Sequence, residues 1–248
     1  MLSLQANDAR AVALVAAIQS GDVETLRALL RDSPEVATAR VVDRRGVSRT
    51  LLHVVADWPG HFPKGPQTVA ILVAAGADVN APVMHPGPHG SPETALHWSA
   101  SSDDVDVLDA LLDGGADIEA PGAVFTGGTP MSDAVVFGQW RAARRLFERG
   151  AATTIWQAAA LGLLDRVRDV CTAEPAPVPA QITNSFWHAC RAGQLRTAEY
   201  LLDRGADLNW VGHDGKTPCD AAQESGNDDL VQWLNAHGAR GAAEVGRG

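Results

Sequence analysis

Five of the eight histidines fall between residues 53 and 97: His53, His61, His85, His89 and His97. Carboxylates stand close to several of them. Asp57 and His61 are four apart, and His85-x-x-x-His89 is followed by Glu93. Histidine titrates near neutral pH, so a His–carboxylate pair is the natural general acid/base at that pH. Asp57, His61 and His89 are the candidates for that role. The His-x-x-x-His spacing is weak evidence for a metal, because it lies in a Pro/Gly-rich loop rather than on a helix. No metal and no cofactor are expected. His85, Glu93 and the run Ser102-Asp103-Asp104 offer further polar contacts, and Trp58, Phe137 and Trp140 offer apolar walls. That mixture is what a small-molecule pocket with few convergent polar groups needs. The same side chains would also serve a protein-binding face, and the residues alone leave open whether any reaction is catalysed.

Other catalytic signatures are absent. The sequence has no Gly-x-x-x-x-Gly-Lys-Ser/Thr loop, no Gly-x-Ser-x-Gly elbow and no His-Glu-x-x-His. Cys171, Cys190 and Cys219 are too few and too irregular for a disulfide framework, so a reducing, cytoplasmic setting is expected. The apolar run 11–18 follows Asp8 and lacks a basic leader, so it reads as a helix rather than an export signal. No run of 18 apolar residues exists, which excludes a membrane-spanning helix. The formal charge is −10, and residues 65–140 contain ten acids and no Lys or Arg. A nucleic-acid partner is not expected from that balance. A protein partner, or a small neutral or cationic ligand, fits it better.

The elements that must position these residues come from internal repetition. Gly-Ala-Asp recurs at Gly76, Gly115 and Gly205, with a worn copy at Gly150. An earlier glycine series runs Gly21, Gly60, Gly138, Gly162, Gly193 and Gly226, with Asp103 taking that place once. Ahead of these lie Thr50-Leu51-Leu52-His53, Thr94-Ala95-Leu96-His97, Thr129-Pro130-Met131-Ser132 and Thr217-Pro218-Cys219-Asp220. Thr is a helix cap and Pro fits a first turn. A stripe such as Val107, Leu108, Leu111 and Leu112 marks one buried helical face, and Gly115 stops that helix.

This pattern resembles the ankyrin repeat family. The resemblance implies an all-α ankyrin-repeat solenoid of about seven helix pairs with a concave groove. The repeats would run 9–47, 48–92, 93–128, 129–152, 153–183, 184–216 and 217–240, forming one domain over 1–240 and leaving 241–248 as a flexible tail. It also implies that His53 and His97 hold backbone groups across repeat junctions, and that Trp156 and Trp187 stand in the same place as packed aromatics unable to make the same bonds. Trp58 and Phe137 would occupy variable, groove-facing places. Two segments depart from a plain array: an insertion at 57–66 and a long finger at 80–93. Folded over the groove, they would close a pocket and make this a small-molecule-binding enzyme. Left as a face, they would make it a binding module with an acidic, aromatic groove, which is what the family mostly implies.

Overall fold

A computed structural model describes residues 2–87, 90–212 and 214–246. The chain divides into two compact bodies, Met1–Ala151 and Ala152–Gly248. The structure is mostly helical, with fifteen helices among the described residues. His89 lies outside those residues, so its candidate role has no structural counterpart here.

The first body opens with strand β1 (Ser3–Gln5) and the pair α1 (Ala9–Ser20) and α2 (Val23–Asp32). A short 3-10 helix, Pro34–Thr38, then leads into β2 (Arg40–Val42) and β3 (Ser48–Thr50). The pairs α3 (Leu51–Ala56) with α4 (Gly65–Ala74), α5 (Ala95–Ser101) with α6 (Val105–Asp113), and α7 (Pro130–Val136) with α8 (Trp140–Glu148) follow. The first helices pack as α1–α3–α5–α7 and the second helices as α2–α4–α6–α8. Leu14, Leu26, Leu52, Leu72, Leu96, Leu108, Leu111 and Leu146 are all buried along those two rows. Each short helix buries one stripe, and only a neighbour of the same kind can cover it. Leu112, at the edge of its stripe, is half-buried.

The repeat pattern gives no hint of the small sheet in this body. β1 pairs parallel with β2 (Ser3 opposite Arg40), and β2 pairs antiparallel with β3 (Arg40 opposite Thr50). Met84, on the finger after α4, bridges to Ser48 and extends the pairing. Arg40 is only 3% exposed and pins this corner: it donates to Ser48 Oγ at 2.8 Å, to Ser48 O at 2.6 Å and to Pro82 O at 2.6 Å.

The second body holds α9 (Ile155–Ala160) with α10 (Leu164–Thr172), α11 (Pro179–Arg191) with α12 (Leu195–Asp203), and α13 (Pro218–Glu224) with α14 (Asp228–Ala236). A short helix, α15 (Ala242–Val245), follows them. Phe186, Ala189, Cys190, Leu201, Cys219, Leu230 and Leu234 share its core, and the three cysteines are buried free thiols. No described helix is long and apolar enough to cross a membrane.

Candidate functional site

The histidines of the Thr-x-x-His starts are structural. Thr50 caps α3, and its backbone N–H donates to His53 Nδ1 at 3.3 Å, while His53 Nε2 lies 3.1 Å from Glu93 O. Thr94 N–H donates to His97 Nδ1 at 3.1 Å, and His97 Nε2 lies 3.4 Å from Gly128 O. With Nδ1 accepting, the proton sits on Nε2, so each ring is a neutral strut between its own helix start and the next finger. Burial holds both rings down to about 4. Gln157 makes the same helix-start bond, accepting from Thr154 N–H at 2.8 Å, so Gln157 rather than Trp156 stands in that place. Trp187 does make the cross-repeat bond: its indole donates to Lys216 O at 2.9 Å. An indole N–H can reach the kind of carbonyl that an imidazole reaches elsewhere, which corrects the expectation of a packed ring without that bond.

The insertion 57–66 is a packed turn. Asp57 ends α3 and forms an ion pair with Arg49. Trp58 is 81% exposed. His61 donates its backbone N–H to Asp104 Oδ2 at 2.6 Å, and its ring, half exposed, lies 3.8 Å from Asp104 Oδ1. Asp104 is 2% exposed and also caps α6 by accepting from Val107 N–H at 3.2 Å. Ser102 Oγ donates back to Trp98 O at 2.9 Å. A Cβ at Gly60 would sit 2.9 Å from Ser102 Oγ, and one at Gly21 would sit 2.4 Å from Pro63 O. The insertion therefore rests between the α1–α2 turn on one side and the α5–α6 turn on the other.

The finger 80–93 gathers a second group. Glu93 accepts from Val83 N–H and from His53 through its backbone oxygen, and its carboxyl faces the Trp98 indole, the Asp133 carboxyl and His85. Burial, then Glu93, push Asp133 up to about 7, and burial raises Glu93 as well. Asp133 Oδ1 accepts from Val124 N–H at 3.2 Å. Beyond it, Phe125 and Phe137 pack together with ring centroids 5.7 Å apart, and they are 71% and 42% exposed. Trp140 begins α8 and is half-buried. Asp103 adopts φ 56° and accepts from Ala142 N–H at 2.8 Å, capping the helix of the following repeat.

The structure thus brings His61 together with Asp104, and Glu93 together with Trp98 and Asp133. It places Asp57 on Arg49 and Asp103 on α8. Among the described residues no group of three or more His, Cys, Asp or Glu is placed to hold a metal.

Comparison with known sequences gives the architecture its family. The ankyrin repeat family model matches residues 93–123 and 185–213. The chain carries ankyrin repeats. An ankyrin repeat and KH domain-containing protein of Caenorhabditis briggsae is 32% identical over 183 residues, covering 70% of this chain and 7% of that protein. The ankyrin repeat and KH domain-containing protein mask-1 of Caenorhabditis elegans is 29% identical over 168 residues, covering 68% of this chain and 5% of its own length. The chain therefore spans only a small fraction of these curated relatives.

In ankyrin terms, Asp133 follows the Thr-Pro-x-x start by one residue, where Trp98 stands in the preceding repeat. Neither Asp133 nor Phe125 stands out in the sequence as a candidate. Phe125 carries one signal: an aromatic on a Gly-rich finger, outside any helical stripe. The acid-rich stretch 65–140 is also less bare than its count implies. Asp109 pairs with Arg145 and Arg149, Asp113 pairs with Arg149, and Asp103 lies 3.9 Å from Arg141. Asp104 and Asp133 are buried. The arginines of α8, with Arg149 at its end, thus answer acids of the α5–α6 pair before it.

Proposed function

We propose that this chain is a non-catalytic protein-interaction module, with each of its seven helix pairs one ankyrin repeat. The recognition face of its first body would centre on Phe125 and Phe137. The exposed ring pair carries this reading. Two phenylalanines in contact at 71% and 42% exposure bury little against their own chain and offer apolar area to another. The finger bearing Phe125 is held in place: Val124 N–H is fixed by Asp133, Val124 O accepts from Ser91 Oγ at 3.4 Å, and a Cβ on Gly122 would sit 2.7 Å from Pro92 O. A preformed anchor loses little conformational entropy on binding. The net charge of −10 favours a partner segment with an aromatic or aliphatic anchor flanked by Lys or Arg.

The test is selection of displayed peptides on the full chain, followed by affinity measurement on Phe125→Ser and Phe137→Ser. Peptides rich in apolar and basic residues, weakened roughly tenfold or more by either change with unfolding unaltered, are the expected result. Binders that tolerate both changes would place the face elsewhere.

A further inference from the structure

We propose that Glu93 and Asp133 share a single proton, and that this acid–carboxylate hydrogen bond clamps the base of finger 80–93 to α7 and, through Val124, holds the finger bearing Phe125. Asp133 is 1% exposed. Its Oδ1 is taken by Val124 N–H, whereas Oδ2 is buried and meets no hydrogen-bond donor among the described residues. The group facing it is another carboxyl, Glu93, itself half-buried. Two bare carboxylates in that position repel and leave a buried acceptor unpaired, which is costly. One proton between them turns the repulsion into a hydrogen bond and supplies the missing donor. The surroundings favour that state. Burial raises both groups, and Trp98 on α5 offers its indole to Glu93, leaving Asp133 as the member without a second donor on Oδ2.

Other titratable groups approach from each packed element. His85 on the finger faces Glu93 and lowers it. His53 on α3 meets only the backbone oxygen of Glu93, with Arg40 and Arg49 nearby, and His97 on α5 is spent on Gly128 O. Among the described residues none supplies Oδ2 with a donor. Asp133 Oδ2 itself is buried, so what it takes is a proton rather than a partner's side chain.

The sign follows from linkage. A carboxyl raised in the folded state contributes stability below its unfolded value, and that stability is lost as pH rises through the folded value. For Asp133 the window runs from about 4 to about 7. Raising the pH would therefore loosen the Phe125 finger near neutrality.

The experiment uses the full chain and Glu93→Gln, whose amide can donate to Asp133 at any pH. Carboxyl carbon NMR should show Asp133 titrating near neutral pH in the parent and at lower pH in E93Q, where burial remains but the facing charge is gone. Amide exchange at Val124, corrected for intrinsic rate, should speed up between pH 6 and pH 8 in the parent by roughly tenfold and stay level in E93Q. Contributions from His53 and His97 cancel in that difference. Asp133 titrating with ordinary aspartates in the parent would overturn the proposal, as would identical exchange profiles. Restoration of Val124 protection at pH 8 by millimolar calcium chloride would also overturn it, because a cation rather than a proton would then be the bridge.

Discussion

Replacing Asp104 tests whether the polar residues around the insertion are scaffold or chemistry. Asp104 joins two elements with one carboxylate: Oδ1 caps α6 through Val107 N–H at 3.2 Å, and Oδ2 receives His61 N–H at 2.6 Å. Asp104→Ala removes both. Loss of a cap costs about 1 kcal/mol. Loss of a charged acceptor for a partly buried amide costs roughly 1–3 kcal/mol. The sum is about 2–4 kcal/mol, measured as the change in urea unfolding free energy. Asp104→Asn keeps one oxygen, which can serve only one of the two amides, so its loss should fall near half of that. His61→Asn keeps the backbone donor and tolerates the positive φ of 58°, so it should cost less than about 0.5 kcal/mol. A loss below about 0.5 kcal/mol for Asp104→Ala would refute the anchor. So would His61→Asn costing as much, since the ring rather than the amide would then be the part that matters.

Two further outcomes are expected. Leu111 is fully buried between the rows of helices, so Leu111→Ala should cost about 2–5 kcal/mol in the same assay, and under about 1 kcal/mol would misplace the core. His53 and His97 are held at about 4, below the ordinary 6.5, so the unfolded chain takes up their protons first. Their contribution is full above about pH 6.5 and is lost as pH falls toward about 4, up to roughly 3 kcal/mol each. His53→Gln, patterned on Gln157 at its own helix start, should remove about half of that acid sensitivity between pH 4 and pH 7. An unchanged pH profile would mean that His53 takes up its proton as readily in the fold as in the unfolded chain.

The helix pairs are legible in the sequence because their signals are local. Thr50 and His53, or Thr94 and His97, lie three residues apart and satisfy each other within one turn, so the box can be read without knowing the neighbours. The stripe through Val107, Leu108 and Leu111 is equally local. The sheet is not legible. Its strands are three residues each, too short for an alternation to show, and β1 pairs with a strand 37 positions away. The candidate site divides the same way. His61, Asp104 and Glu93 stand out by residue type, but their partners are backbone amides and a carboxyl contributed by other repeats. Asp133 reads as one more acid of the central stretch until Val124 and Glu93 close over it. Trp187 does sit at a repeat junction, yet its bond to Lys216 depends on how close the next repeat's backbone approaches.

The insertion between α3 and α4 has a consequence for how such a chain can change. Repeat arrays gain and lose whole modules readily because every junction resembles the last. Here the α3–α4 pair carries its neighbours' outlines on both sides. Gly21 leaves no room for a Cβ beneath Pro63, and Asp104 reserves an oxygen for the amide of His61. Excising the α3–α4 pair with its insertion would leave that oxygen without its donor. Duplicating the pair would set two insertions side by side, the first with no aspartate to receive it. Point substitutions can accumulate along this pair, but moving it in the order would break contacts made by the residues on either side.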